Sequence, residues 1–286
     1  MIQFIIPADW QALPLTKALQ RYGVSVTMRR RIKHEAACFI NGQTVSWRSF
    51  ASPGDHVRVE LPLKNEFEPI ALPISICYED EYLLAVNKPA GLLSHPVSTS
   101  DEPTLANAVA YHYQKTGTKA AFHLIHRLDR NTSGLILIAK QPQIQYALTQ
   151  KQLFHQRTYQ AFVTGSFPAP AASVRFPIAR KEGSIIERIV SSAGQSAHTD
   201  IRLLHRGSQY SHIELQLHTG RTHQIRVHCA ALGYPLLGDD LYGGSKEYIS
   251  RQALHAGMIS FLHPVEKKII TVTAPLPQDM AKLCIR

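Results

Sequence analysis

The sequence predicts a mixed α+β protein that consists of a small N-terminal αβ unit and a larger, strand-rich domain. Short runs rich in β-branched and aromatic residues are bounded by turn signals, and stretches with apolar residues at helical spacing lie between them. A proline-containing segment follows the first sixty residues. With 286 residues, 44% of them hydrophobic, the chain is long enough to bury a core in one large domain or two ordinary ones.

Residues 1–60 are predicted to form the small αβ unit. PLTKALQRYG is predicted to be helical up to Gly23 and VTMRRRIKHEAA to be a second helix, whereas CFING and HVRVEL are predicted to be short strands. The second helix carries a basic cluster, which consists of Arg29, Arg30, Arg31 and Lys33. Such a cluster is either a solvated helix face or a surface that meets phosphates.

Residues 61–73, LPLKNEFEPIALP, are predicted to be an extended linker, because proline lacks the backbone donor that helix and strand interiors require. Residues 74–286 then form the strand-rich domain. Its strand candidates are EYLLAVNKP, FHLIHRL, LILIAK, TYQAFVTG, HIELQLH and IITVTAP. Its predicted helices cover residues 104–115, 141–156 and 222–232.

The composition of the chain narrows the classes of function and the cellular compartment that we expect. Lys and Arg number 31 against 21 Asp and Glu, a net charge of +10 that favours binding to a polyanion such as nucleic acid, although a basic surface can also serve solubility alone. The four cysteines, Cys38, Cys77, Cys229 and Cys284, lack zinc or redox spacing. The N-terminal MIQFIIPADW lacks a signal-peptide pattern, and no apolar stretch is long enough for a membrane span, so we expect a cytoplasmic protein.

The stretch HRLDRNTSGLILIAK, residues 126–140, places one carboxylate, Asp129, between Arg127 and Arg130. A polar turn and an apolar strand candidate follow it. Asp129 is therefore expected near a strand end, from which a side chain can project into a cleft. It is either part of a salt-bridged loop or a carboxylate whose charge serves chemistry.

The stretch TGRTHQIRVHCAALGYPLLGD, residues 219–239, predicts a helix with Thr222 as its N-cap. Its apolar face is formed by Ile225, Cys229 and Leu232. Arg226 projects from this helix as a fixed guanidinium, which suits holding a carboxylate in its ionised form.

Metal, phosphate-loop and serine-hydrolase chemistry have no support in the sequence. His223 and His228 are five residues apart, which places them roughly 140° apart on a helix rather than on one face. There is no HExxH pattern, no P-loop spacing and no Gly-x-Ser-x-Gly elbow. We therefore expect no metal and no nucleotide cofactor.

The stretch RTYQAFVTG, residues 157–165, places Tyr159, Ala161 and Val163 on one face of a predicted strand. Tyr159 is either a core aromatic or a wall on which a nucleobase stacks.

Together these three stretches resemble the motifs of the RluA-type pseudouridine synthases. NKPAGLLSHP (87–96), RQALHA (251–256) and HP (263–264) fit the same pattern in the same order. One departure is Arg157, where the family more often has lysine. The N-terminal order of basic helix, FING and PGD is similar to the small RNA-binding module of the ribosomal S-four type.

The resemblance implies a mainly antiparallel sheet with flanking helices and a reaction that isomerises uridine in structured RNA to pseudouridine without a cofactor. It implies that Asp129 is the nucleophile, attacking either the ribose or the uracil ring, and that Arg226 pairs with it. Tyr159 would stack on uracil, and Arg127 would fill the gap left by a flipped base.

Large-subunit ribosomal RNA is the substrate that the two-module resemblance favours, with transfer RNA as the alternative, and we expect a monomer. Two other classes of function stay open. One is a noncatalytic RNA-binding or ribosome-assembly protein on the same scaffold. The other is a glycosidase, which needs a second carboxylate opposite Asp129.

Overall fold

Two β-sheets organise the computed structural model, which describes residues 2–24, 26–61, 67–97, 101–150 and 153–284. Its helices are α1 (Leu15–Arg21), α2 (Val26–Glu35), α3 (Leu105–Thr116), α4 (Pro142–Gln150), α5 (Gln224–Ala231) and α6 (Gln278–Ala281). Its strands are β1 (Ile2–Ile5), β2 (Leu13–Pro14), β3 (Ala37–Ile40), β4 (Gln43–Val45), β5 (Phe50–Ala51), β6 (His56–Glu60), β7 (Ser75–Glu79), β8 (Leu83–Lys88), β9 (His123–Leu124), β10 (Ser133–Ala139), β11 (Phe154–Thr164), β12 (Ala171–Val174), β13 (Ile178–Arg180), β14 (Arg188–Val190), β15 (Thr199–Arg206), β16 (Tyr210–Leu217), β17 (Leu254–Leu262) and β18 (Ile269–Thr273).

The smaller sheet lies in the N-terminal part of the chain and has the order β1-β6-β3-β4, antiparallel throughout. Buried side chains from α1, α2 and this sheet form one apolar cluster, which includes Leu15, Leu19, Ile32, Val57 and Val59. The predicted helices and strands of this part are present as α1, α2, β3 and β6. The division into a unit at 1–60 and a domain at 74–286 stays a prediction, and residues 62–66 of the predicted linker lie outside the described residues.

The larger sheet has the order β12-β15-β16-β11-β17-β10-β8-β7, with β18 paired to β17 and β9 paired to β10. Its pairs are antiparallel except for β10 with β17, which is parallel. Helices flank this sheet, so the mixed, mainly antiparallel α+β architecture is confirmed.

Strand β10 explains why LILIAK is so apolar, because every residue of Ser133–Ala139 is buried. Successive side chains alternate between the two faces of a strand. Ile136 and Ile138 accordingly belong to one hydrophobic cluster, and Leu135 and Leu137 belong to another on the opposite face. A central strand covered on both faces has a continuous apolar sequence.

Two predicted elements are wrong in their extent. The helix predicted at 141–156 ends at Gln150, and β11 begins at Phe154, where it pairs with Phe261 of β17. Sheet pairing with a distant strand outweighs the local helical pattern there. Only His123–Leu124 of FHLIHRL is a strand. Beyond it, the ring of His126 accepts the backbone N–H of Leu137 at 3.2 Å, so a side chain replaces the next strand partner.

None of the described helices combines the length and apolar character that crossing a membrane requires.

Gly134 follows Thr132 and Ser133 of the polar turn. A glycine is required at this position because the backbone of β17 approaches it closely. It has a φ of +114° and pairs with Ala256 of β17 in the parallel register. A Cβ placed on Gly134 would lie 2.5 Å from the backbone N of Ala256 and closer still to its O. Both atoms belong to a rigid central strand, so neither can give way.

Replacing Gly134 with alanine is therefore expected to destabilise the protein by about 1–3 kcal/mol beyond the backbone strain alone, because overpacked sites cost energy of this order. Urea unfolding of Gly134→Ala measures the loss. Gly183→Ala is the matched control, since Gly183 also has a positive φ, +72°, and nothing lies within 4 Å of its added Cβ. Equal losses for the two variants would contradict the proposed role of the close approach.

Candidate active site

A cavity of about 320 Å³ lies between the loop that precedes β10, strand β11 and the N-terminal part of α5. The four residues that the sequence analysis placed in the site all line this cavity: Arg127, Asp129, Tyr159 and Arg226. Segments almost one hundred residues apart in sequence therefore meet here. The structure brings the predicted site residues of the larger domain together in one place.

Asp129 lies in the loop between β9 and β10, where its carbonyl accepts the backbone N–H of Thr132 at 3.1 Å. Its side chain is 22% exposed, so it is partly desolvated but open to the cavity. Oδ2 of its carboxylate accepts a hydrogen bond from Nη1 of Arg226 at 3.1 Å. The expected pairing of this carboxylate with a helix-mounted guanidinium is present.

Arg226 is held by a second carboxylate that the sequence analysis missed. Its Nε and Nη2 donate to Oδ2 and Oδ1 of Asp239 at 2.7 and 2.8 Å, and Asp239 is only 1% exposed. Burial opposes the charge on Arg226, but the hydrogen bonds and charge of Asp239, together with the charge of Asp129, outweigh it and raise the pKa of the guanidinium. Asp239 is the last residue of the quoted stretch 219–239, and its place in the same motif as Arg226 was the sequence signal that could have identified it.

His223 begins α5, and it also belongs to the site. It is the N-cap residue, with a left-handed φ of +58°, so the predicted N-cap Thr222 is wrong by one residue. The ring contacts the hydroxyl of Tyr242 through Nδ1 at 2.8 Å, and Nε2 lies 3.7 Å from Oδ2 of Asp129. The sequence analysis considered His223 only as a possible metal ligand. The predicted apolar face of α5 is confirmed, since Ile225 and Cys229 are buried in the main core.

Tyr159 is both a core residue and a cavity wall. It lies on β11, is 6% exposed and belongs to the main hydrophobic cluster while lining the cavity. Burial raises its pKa; the nearby Asp129 adds to this shift and Arg157 opposes it. The phenol therefore stays protonated near neutral pH. A flat apolar ring at this place suits stacking against a nucleobase.

The cavity opens into a basic groove. A second cavity of about 570 Å³ shares Arg157, Gly220 and Arg221 with the first, so the two are continuous. Gly220 makes room for the guanidinium of Arg157, because an added Cβ would lie 2.9 Å from its Nη1. Asp129 is the single acidic side chain among the described residues that line either cavity. The groove therefore suits a polyanionic ligand.

Lys88, at the end of β8, is a buried residue that the sequence analysis did not single out, although it stands in the quoted NKPAG motif. Its Nζ donates to the carbonyls of Pro89 and Leu92 at 2.8 Å and to that of Arg130 at 3.0 Å. It thus ties the loop after β8 to the loop that carries Asp129. Burial lowers the pKa of Lys88 to about 7, against the opposing charge of Asp129.

Two clusters in the described residues contain metal-ligand side chains, but their geometry favours other roles. In the first cluster, Nε2 of His198 lies 3.0 Å from Oδ1 of Asp200 and Nε2 of His218 lies 2.7 Å from Oδ2, while the two rings are stacked with centroids 4.1 Å apart. In the second cluster, Nδ1 of His263 accepts two backbone N–H groups, which leaves Nε2–H to donate to Asp80 at 3.0 Å.

The basic cluster of α2 does not line either cavity. Arg29 donates to Gln20 at 2.8 Å, Arg31 pairs with Glu35 at 2.8 Å, and Nζ of Lys33 lies 5.9 Å from the centre of the Trp47 ring. Arg30 and Lys33 are exposed. Of the four residues of this cluster, these two therefore have the most accessible charges.

Comparison with known proteins supports the motif resemblance. Residues 82–231 match the family model described as RNA pseudouridylate synthase. The chain is 42% identical over 249 residues to the uncharacterized RNA pseudouridine synthase YjbO of Bacillus subtilis (strain 168), covering 85% of this chain and 88% of that protein. It is 34% identical over 262 residues to ribosomal large subunit pseudouridine synthase D of Xanthomonas campestris pv. campestris, covering 85% and 79%.

Among solved structures, human RNA pseudouridylate synthase domain containing 1 superposes with a TM-score of 0.59 at 24% sequence identity. The alignment covers 74% of this chain and 94% of that chain, which shows that the two share a fold.

From the burial of Lys88 we predict that the free energy of unfolding depends on pH. The pKa of Lys88 is about 7 in the folded protein and near its ordinary 10.5 when unfolded, so the unfolded chain binds more protons between these values. The free energy of unfolding should therefore rise with pH across this window. Between pH 7 and 9 the wild type should gain up to about 2 kcal/mol relative to Lys88→Met, as measured by urea unfolding. Lys119→Met, at an exposed position, is the control, and a pH-independent difference for Lys88→Met would contradict the prediction.

Proposed function

The chain belongs to the RNA pseudouridylate synthase family, and from this premise we propose that Asp129 is the nucleophile with which it isomerises uridine in RNA to pseudouridine. The family assignment confirms the resemblance to the RluA-type enzymes. The observation that supports the proposal for Asp129 is its placement as the single acidic side chain among the described lining residues, hydrogen-bonded to Arg226 at 3.1 Å.

Isomerisation requires an ionised nucleophile in a site that excludes water. The carboxylate of Asp129 attacks either the ribose anomeric carbon or the uracil ring, and the glycosidic C–N bond breaks. The uracil turns within the cavity, its carbon 5 bonds to the anomeric carbon of the sugar, and the bond between Asp129 and the substrate breaks, which frees the carboxylate. Carbon 5 gives up one proton and the released nitrogen takes up one, so the reaction is balanced without an oxidant or an energy source.

Tyr159 and Arg127 have separate roles in this proposal. The buried ring of Tyr159 forms the wall on which the uracil stacks. The exposed guanidinium of Arg127 at the cavity rim takes the place of the flipped base in the RNA stack. Inserting a planar cation offsets part of the few kcal/mol that flipping a base costs.

Large-subunit ribosomal RNA is the substrate that we propose. The related protein from Xanthomonas campestris is named for that RNA, and the basic groove and the basic cluster of α2 suit a large structured polyanion. Transfer RNA is the second candidate, and mapping pseudouridines across total RNA with and without the protein distinguishes the two. A noncatalytic role is disfavoured, because a binding surface gains nothing from a carboxylate that faces phosphates.

We also propose that the protein acts as a monomer in a reducing cytoplasm. Cys38, Cys77, Cys229 and Cys284 are free, and Cys38 and Cys229 are buried as small apolar side chains.

The central test replaces Asp129 with asparagine, which keeps the size of the side chain but removes the nucleophile. Asp129→Asn should reduce pseudouridine formation to below about one-thousandth of the wild-type rate and leave RNA affinity within twofold. Pseudouridine-specific chemical labelling measures the first quantity and filter binding the second.

Asp240→Asn is the matched control, since Asp240 is an exposed aspartate that pairs with Lys246 outside the cavity, and full activity is expected. Full activity of Asp129→Asn would exclude the nucleophile assignment. Release of free uracil from RNA by the wild type would instead favour glycosidase chemistry.

The basic cluster of α2 predicts a salt effect. Replacing the exposed Arg30 and Lys33 with glutamine should weaken RNA binding and lower the slope of log Kd against log salt by about 1 to 2, because each phosphate contact releases a counterion. The same pair of replacements at Lys115 and Lys119, which are exposed elsewhere, should leave the slope unchanged. An unaltered slope for the Arg30 and Lys33 variant would mean that α2 does not meet RNA.

A further inference from the structure

His223 adopts a backbone conformation that is costly for its residue type. Its φ of +58° lies in the left-handed region, where a residue with a Cβ is strained by about 1 kcal/mol or more. Such strain persists only where surrounding contacts demand it, and it concentrates at functional sites. Here the conformation turns the imidazole into the cavity beside Asp129, instead of capping the first turn of α5.

The contacts of Tyr242 determine which ring nitrogen of His223 carries the proton. The Tyr242 hydroxyl accepts the backbone N–H of Arg188 at 2.9 Å and lies 2.8 Å from Nδ1 of His223. Because Nε2 of the same ring faces the Asp129 carboxylate, which accepts, we assign the Tyr242 O–H as the donor to Nδ1. Burial raises the pKa of Tyr242, so this donor stays protonated. With Nδ1 acting as an acceptor, the neutral ring carries its proton on Nε2.

Burial, more than the charged groups around it, keeps the His223 ring neutral near pH 7. Burial lowers its pKa, and the nearby guanidinium groups of Arg226, on the same helix, and Arg188, on β14, add to this effect. Asp129, in the loop before β10, and Asp239, before the 3₁₀ helix Asp240–Tyr242, oppose it.

The two donor groups near the carboxylate of Asp129, one from Arg226 and one from His223, face the same carboxylate oxygen. Nη1 of Arg226 donates to Oδ2 of Asp129 at 3.1 Å, and Nε2 of His223 lies 3.7 Å from that oxygen. The second distance is about half an ångström beyond a normal hydrogen bond, and contacts of this kind tighten as the substrate closes the site.

We propose that His223 is a positioning residue whose Nε2–H, together with Arg226, holds Oδ2 of Asp129 and so reserves Oδ1 for attack on the uridine. This inference rests on the proposed nucleophilic role of Asp129. A carboxylate with one oxygen bound by two donors has a fixed plane, and its other oxygen is directed at a single point. Arg226 alone leaves rotation about that one hydrogen bond unrestrained.

The test separates the chemical step from binding. His223→Gly removes the donor and relieves the left-handed strain, so folding should be retained. At saturating RNA its single-turnover rate should fall about 10- to 100-fold, as for loss of a hydrogen bond to a charged group, with RNA affinity unchanged. Lys267→Gly is the matched control, because Lys267 is exposed, also has a φ of +58°, and lies outside the cavity.

Tyr242→Phe is the second variant, since it keeps His223 but removes the donor to Nδ1. Nitrogen-15 NMR of histidine-labelled protein should show a proton on Nε2 of His223 in the wild type and a mixture of tautomers in Tyr242→Phe. The rate of Tyr242→Phe should fall less than that of His223→Gly. A wild-type ring protonated on Nδ1, or a His223→Gly rate equal to wild type, would overturn the inference. An inactive wild type would refute the proposed function instead.

Discussion

The ion array of the buried Asp239 and Arg226 with the partly exposed Asp129 is the interaction on which the site depends. Asp239 holds Arg226 through two hydrogen bonds of 2.7 and 2.8 Å, which leaves Nη1 to contact Asp129 at 3.1 Å. An arginine without this anchor could pair with Asp129 through both arms of its fork and quench the nucleophile. Two carboxylates around one guanidinium leave a net negative charge, which is available to Asp129 as the proposed nucleophile. The cost of burying it is offset by the polar donors nearby.

The sheet and its loops hold this array in place. Strand β10 is buried on both faces and approaches β17 so closely at Gly134 that no side chain fits. Lys88 binds the carbonyl of Arg130, the residue after Asp129, and thereby joins the nucleophile loop to β8. Both features lie behind the cavity rather than in it. Because the central sheet is rigid, these two features fix the position of the Asp129 carboxylate. Catalysis by orientation requires such a fixed position.

The acidic and basic side chains of the site occupy different places. The cavity holds one acidic side chain among its described lining residues, whereas Arg127, Arg157 and Arg221 surround it and continue into the groove. This arrangement attracts a phosphate backbone and admits a neutral base, so the carboxylate meets the uridine and not the phosphates. The histidines beside the groove are held by hydrogen bonds to Asp200, which keeps that surface polar without adding to the site.

The amino-acid sequence by itself determined the α+β class and most helices and strands, because periodicity and turn signals are local properties. The resemblance of its motifs to a known family singled out Arg127, Asp129, Tyr159 and Arg226, which all line the cavity. It misjudged the region 141–156 and FHLIHRL, where pairing with β17 and β10 decides the conformation. Only the tertiary structure identified Asp239, Lys88 and His223 as parts of the site. Their roles arise from contacts with groups in other elements, such as Arg130, which is separated from Lys88 by 42 positions, and no spacing rule encodes such a contact.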